Sequence, residues 1–348
     1  MGRLHHLDYL RGIAAAGIML FHFLTWTFGE LDSSSFFGRV GLYGVSIFYI
    51  LSGLTLYHVY HARMELSLKG IGDFFIKRIC RIFPLMWVAT LFSIWLVKGF
   101  DVSIRQLILN FTGLFGFFAW DEGIATGIWS IGNELVFYAL FPLLIFFGRK
   151  STFVNLLLAG LFLTVFVWFA FFVLDDSAGF DAPLQKFNYV HPLNQAFLFV
   201  GGFMMGRWVR LEDRFRPTYL IYAFVGLIVF SLFPIHGDRI HLVTDWNRLV
   251  LTGCSLLICF GVYASKMEFK GKLHWSLKTL GEISYSVYLL HPIVHRLIGL
   301  FRDAYAPQIS EKIRFGAAII LTLILSYLSY HWFERWFIQM GKKRSNAA

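Results

Sequence analysis

Charge is what this sequence has least of. Asp, Glu, Lys and Arg make up 15% of its 348 residues, against about a quarter in soluble domains. Hydrophobic types make up 57%, so an ordinary water-soluble globule is excluded. Cysteine is scarce as well. Cys80, Cys254 and Cys259 offer neither a disulfide framework nor metal-ligand spacing, so they read as packing residues and no metal is called for. No repeat, low-complexity tract or Pro/Gly-rich linker divides the chain, and 1–348 reads as one transmembrane domain with no fused extracytoplasmic domain. A convincing signal peptide is missing too. The first apolar segment contains Arg11, no small-x-small cleavage site follows it, and it reads as a retained helix. The net charge of +10 points at first to nucleic acid, but no basic block is long enough to be a binding arm. In a membrane protein Lys and Arg collect in cytoplasmic loops, and no nucleic-acid partner is expected.

What the sequence has in quantity is apolar runs. A bilayer core needs about 20 residues per helical span, and candidates fall at roughly 7–27, 39–60, 78–98, 129–148, 152–174, 192–209, 218–235, 248–265, 282–300 and 313–338. The expected fold is an all-α polytopic membrane protein of about ten transmembrane helices. The further run 104–118 is short for a span and reads as a re-entrant or interfacial segment. With both termini cytoplasmic and 104–118 not crossing, the inside loops collect about 20 of the 31 Lys and Arg, including Arg3, Arg149, Arg207, Arg210, Arg214 and Lys266. The outside then receives Glu30, Asp32, Asp175 and Asp176.

Ionisable groups inside spans are costly and usually functional. On the first helix, at 100° per residue, Arg11 lies within about 20° of His22 and Asp8 within about 40° of it. This stripe is either a functional face, or an Asp8–Arg11 pair near the interface with a hydrogen-bonded structural His22. Arg78 and Arg81, at i and i+3, share a helical face. They are either positive-inside anchors or a forked phosphate site. Ser130, Glu134 and Tyr138 recur at i, i+4, i+8 behind Trp129, and a carboxylate one turn into a span favours function. Ser284, Tyr288, His291 and His295 share a face of the ninth span, where Pro292 frees a backbone carbonyl. His291 suits a structural or a catalytic role equally.

Five stretches occur in an order that resembles the acyltransferase-3 family of membrane O-acyltransferases. They are Leu7-Asp8-Tyr9-Leu10-Arg11-Gly12 with His22, Gly44 to Gly53, and Arg78-Ile79-Cys80-Arg81-Ile82-Phe83-Pro84. The last two are Trp129-Ser130-Ile131 with Glu134, and Ser284 to Pro292. The resemblance covers nearly the whole chain. It implies a multi-pass protein of the bacterial inner membrane, a cytosolic acyl-CoA donor (acetyl-CoA foremost), and a carbohydrate or lipid-linked glycan acceptor. It also implies an essential histidine at His22 and a donor-associated pair at Arg78 and Arg81. The chain departs from many relatives at Ser46, where they carry a carboxylate, which leaves Glu134 as the better in-membrane acid.

Acyl transfer from a thioester needs a base for the acceptor hydroxyl and a donor for the oxyanion. His22 is the expected base. Arg11, Asp8 or Glu134 is expected to orient it, with Trp129, Ser130, Tyr288 and His291 on the substrate. A transporter or flippase for a glycolipid is the competing class, and a paired-repeat architecture would favour it. A membrane sensor or scaffold is the third.

Overall fold

The computed structural model describes residues 4–96, 102–209 and 215–347, and every regular element in them is helical. In lipid each backbone group must be satisfied within its own segment, which makes helices the only open-ended solution. In chain order they are α1 (His5–Phe28), α2 (Phe36–Tyr60), α3 (Leu68–Leu96), α4 (Ile104–Thr112), α5 (Phe115–Phe118), α6 (Trp129–Lys150), α7 (Thr152–Trp168) and α8 (Pro183–Tyr189). They continue with α9 (Pro192–Trp208), α10 (Leu220–Leu232), α11 (Asp245–Ser265), α12 (Gly271–Glu282), α13 (Ser284–Tyr305), α14 (Glu311–Leu328) and α15 (Arg335–Ala347). Arg3, Arg210 and Arg214, counted above among the inside cations, lie outside the described residues.

Seven of these stretches are long and apolar enough to cross a membrane: α1, α2, α3, α6, α7 through Val173, α11, and α14 through α15 to Arg344. The chain is a polytopic membrane protein. Three further expected spans are present as helices but fall short by that measure. α9 has 17 residues, the apolar stretch ending in α10 runs only from Pro217 to Leu232, and α13 carries His291, His295, Arg296, Arg302 and Asp303. α3 begins at Leu68, ten positions before the expected start, so Arg78 sits about 15 Å into its helix at 1.5 Å per residue.

The run 104–118 forms α4 and α5, of 9 and 4 residues, too short to span. It folds back: Arg105 donates to Glu122 at 2.6 Å, and Asn110 holds the Glu122 carbonyl and the Ile124 N–H. Gly113 ends α4 at φ +73°, a left-handed conformation that suits glycine.

Contacts divide the chain into two compact units. The first comprises Met1–Phe21, Leu31–Ala62 and Leu144–Glu282. In it α2 packs on α9 and α11, α7 packs on α9, and α10 packs on α11. The α2–α9 approach is backbone to backbone: a Cβ on Gly53 would lie 2.0 Å from the Phe199 carbonyl, and one on Gly202 would lie 1.9 Å from that of Ile50. Two buried arginines brace this unit. Arg39 donates to the carbonyls of Ser33, Phe230 and Phe233. Arg248 donates to Asn194 and lies 4.2 Å over the Phe166 ring. The ends of this unit differ in charge. At one, Arg149 holds the His61 carbonyl and Arg207 holds Thr152; burial, then Arg207 and Arg149, push the His61 imidazole below its ordinary pKa. At another, Asp32 accepts the N–H groups of Ser34 and Gly237, which hold its carboxyl below the usual range, and Arg239 pairs with Asp181.

The second unit comprises His22–Glu30, Arg63–Leu143 and Ile283–Ala348. Here α13 packs on α3 and α14, and α15 packs on α3. A π-helical turn, Ser329–Glu334, joins α14 to α15. Such turns are frequent at functional sites.

Candidate active site

The second unit gathers most of the chemistry-bearing residues. α1 brings His22 to α13, where its Nδ1 lies 2.9 Å from His291 Nε2. His291 Nδ1 lies 2.9 Å from the Val287 carbonyl one turn back. These two contacts fix the protons. A carbonyl only accepts, so His291 Nδ1 carries hydrogen. His291 is 2% exposed, and a buried cation without a counter-charge is costly, so the ring is neutral and its Nε2 accepts. His22 Nδ1 must then donate, which makes His22 Nε2 the basic nitrogen of the ring. Both neighbouring rings lie nearly parallel to His22: Trp26 at 4.8 Å and 12°, His291 at 5.1 Å and 16°.

One turn along α13, Tyr288 meets α6. Its hydroxyl is 2.7 Å from Ser130 Oγ, and both hydroxyls lie within reach of the Gly127 carbonyl. Two hydroxyl protons serve three contacts, so at most two of the three are hydrogen bonds at any moment. Trp129 is half-buried beside Ser130. One turn further, Tyr138 donates to Glu134, and the Arg78 guanidinium sits 5.7 Å over the Tyr138 ring and 5.9 Å over Phe74. Glu134 is thereby linked through Tyr138 to Arg78. Arg81 is half-buried one turn along α3, and the next residue's carbonyl, that of Ile82, accepts from Tyr285 at 2.7 Å.

Asp8 and Arg11 belong to the first unit. They pair at 3.7 Å, and Arg11 also donates to Thr55 at 3.3 Å. Eleven residues of α1 separate Arg11 from His22, about 16 Å along the axis. The helical wheel puts them on one face but not at one depth.

Three features escaped sequence reasoning. Glu334, 4% exposed, accepts from Ser286 and at 3.3 Å from Ser329. A carboxylate in the apolar run 313–338 was its available signal. Trp26 looked like one of many membrane aromatics. Arg314, in the same final span, reaches His295 at 3.2 Å and Glu311 at 3.1 Å.

A multi-pass helical protein with a half-buried histidine backed by a buried one, and hydroxyls leading toward two arginines, suits a membrane-embedded transferase. Residues 4–331 match the acyltransferase domain of the acyltransferase 3 family, and the chain belongs to that family. It is similar to the exopolysaccharide production protein ExoZ of Rhizobium meliloti (strain 1021), 23% identical over 319 residues, covering 88% of this chain and 92% of ExoZ. It is also similar to the O-acetyltransferase OatA of Staphylococcus aureus, 23% identical over 378 residues, covering 94% of this chain and 56% of OatA. No solved structure matches it.

Proposed function

We propose that this acyltransferase is an inner-membrane O-acyltransferase, with both termini cytoplasmic, that moves an acetyl group from cytosolic acetyl-CoA to a hydroxyl of a carbohydrate or lipid-linked glycan. The observation that carries the reading is the hydrogen-bond sequence His22–His291–Val287 carbonyl, which aims one basic imidazole nitrogen away from its support. His22 Nε2 takes the proton of the acceptor hydroxyl as its oxygen attacks the thioester carbon. The imidazolium keeps its Nδ1–H bond to His291. The tetrahedral oxyanion collapses, the carbon–sulfur bond breaks, and the proton passes from His22 to the departing thiolate. Products are the ester and free coenzyme A. An imidazole can serve both directions of transfer, taking a proton when neutral and returning it when charged.

Ser130 and Tyr288 supply a hydroxyl proton near the reacting carbonyl. Arg78 and Arg81 take the donor's phosphates, with Glu134 and Tyr138 orienting Arg78. Arg78 packs on Tyr138, nine residues into α6, and the pantetheine arm spans the way from there to His22. Asp8 and Arg11, paired together, act on the setting of α1 rather than on the proton.

The test is purified protein with acetyl-CoA and a carbohydrate acceptor, ester formation read by mass spectrometry. Acetyl transfer is expected, and its loss in well-folded His22→Ala. Normal turnover by that variant would sink the assignment.

A further inference from the structure

Beyond the histidines, the second unit holds a cluster that the transfer step does not use. Arg302 pairs with Glu311, Arg314 pairs with Glu311 at 3.1 Å, and Arg314 Nη2 donates to His295 Nε2 at 3.2 Å. Thr27 Oγ1 approaches the same nitrogen at 3.1 Å. His295 in turn lies 5.3 Å from the Trp26 ring, which stacks on His22. The cluster is therefore one ring away from the basic nitrogen.

Its hydrogen-bond balance is one-sided. Two guanidiniums bring about ten N–H donors, and the acceptors they meet here are one carboxylate and one imidazole nitrogen. Arg302 Nε and Arg314 Nε are buried with no acceptor, against one buried acceptor, Glu311 Oε2, that makes an ion pair with Arg314 but no hydrogen bond. One carboxylate between two cations also leaves the group net positive. In the proposed topology it sits outside, where lysine and arginine are disfavoured. Trp26 is 38% exposed. An interfacial belt would account for Trp26 alone, but not for two guanidiniums with unfilled donors beside it.

We propose that Arg302 and Arg314, with Trp26, form an acceptor subsite for a sugar unit bearing an anionic oxygen, either carboxylate or phosphate. The guanidiniums take the anion through charge-assisted bonds. The open part of the indole takes the C–H face of the sugar ring. A neighbouring sugar unit then presents its hydroxyl to His22. The biological sense of the subsite rests on the acyl-transfer reading above; its binding chemistry does not.

Three probes test it: p-nitrophenyl β-D-glucoside, p-nitrophenyl β-D-glucuronide, and the glucoside 6-phosphate. Binding to full-length protein in phosphatidylcholine nanodiscs, without acyl-CoA, is read by saturation-transfer NMR and titration. The two anionic probes should bind at least about tenfold more tightly than the glucoside, the worth of one charge-assisted bond. Arg302→Gln with Arg314→Gln should remove that preference, the double Lys variant should keep part of it, and Trp26→Ala should weaken all three probes. A stronger effect for one anionic probe tells carboxylate from phosphate. Equal affinity for all probes in the native protein would overturn the proposal. So would a preference that survives both Arg→Gln changes. Loss of anionic binding when phosphatidylglycerol is added would assign the cluster to a lipid phosphate instead. Because no donor is present, absence of acetyl transfer would count against the proposed reaction and leave the subsite to be decided by binding.

Discussion

His22 has two ring nitrogens, and the proposed chemistry depends on which one is basic. His291 decides this by offering an acceptor to Nδ1, so it is a positioning residue rather than a catalytic one. His291→Ala should lower kcat by roughly 10²-fold, the lower range of general-base contributions, with little change in acetyl-CoA KM. The acid limb of the pH–rate profile should move down, because the imidazolium loses its acceptor and becomes a stronger acid, so the neutral base persists to lower pH. The decisive readout is rescue: glutamine has both an acceptor and a donor, so His291→Gln should recover more activity than Ala. Equal kcat and profile for native, Ala and Gln forms would reduce His291 to packing. At the donor end, replacing Arg78 and Arg81 together by Lys keeps charge but loses the planar fork. Hydrogen bonds to charged groups are worth about 1.5–3 kcal/mol each, so the coenzyme A dissociation constant should rise at least roughly tenfold by calorimetry. Native affinity in a correctly inserted double variant would leave the arginines as anchors. Periodicity alone grouped Tyr288, His291 and His295 on one face. It could not show that His22 meets His291, because a contact across 269 positions leaves no trace in spacing within either helix.

Between helices, small residues set how closely backbones meet, which matters in lipid where van der Waals packing drives helix association. Gly53 and Gly202 sit at such a crossing, α2 against α9. Any side chain at Gly53 meets the Phe199 carbonyl rather than a movable side-chain end. Gly53→Ala should therefore destabilise by about 1–3 kcal/mol through overpacking, read as a lower Tm of the detergent-solubilised protein. Gly253, within α11, has nothing within 4 Å of its Cβ position. Gly253→Ala should leave Tm unchanged or raise it, since alanine favours a helix by up to about 1 kcal/mol. Equal effects of the two changes would mean that the α2–α9 approach is not what Gly53 serves. Helix existence was legible here because apolar runs are long. The early start of α3 was not, since Lys69, Asp73 and Lys77 interrupt the apolar pattern and Gly70 and Gly72 weaken helix propensity there. The π-helical turn at Ser329–Glu334 was equally hidden, as nothing in its composition sets it apart from an α-helix.

For the whole chain, the deciding question is whether the segment between α3 and α6 returns to the side it left. If it does, α6 runs outside to inside, and the basic residues Arg149, Lys150, Arg207 and Lys266 fall on the cytoplasmic side as the positive-inside rule requires. If it crosses, every later loop changes sides, and the proposed acyl-CoA site and acceptor site lose their separate aqueous phases. Helices of 9 and 4 residues and the Arg105–Glu122 pair support a return. Asp121 is exposed next to that pair, and Lys270 is exposed just ahead of α12, so one cysteine at each position reports the two sides independently. In a background with Cys80, Cys254 and Cys259 replaced, Asp121→Cys should react with an impermeant maleimide in cells whose outer barrier alone is opened. Lys270→Cys should react only after the inner membrane is breached. Asp121→Cys labelled only from the cytoplasmic side would mean that 104–118 crosses. In that event α13 would run in the opposite sense, and the Arg302–Arg314 cluster would face the cytosol, where an acceptor arriving from outside could not reach it.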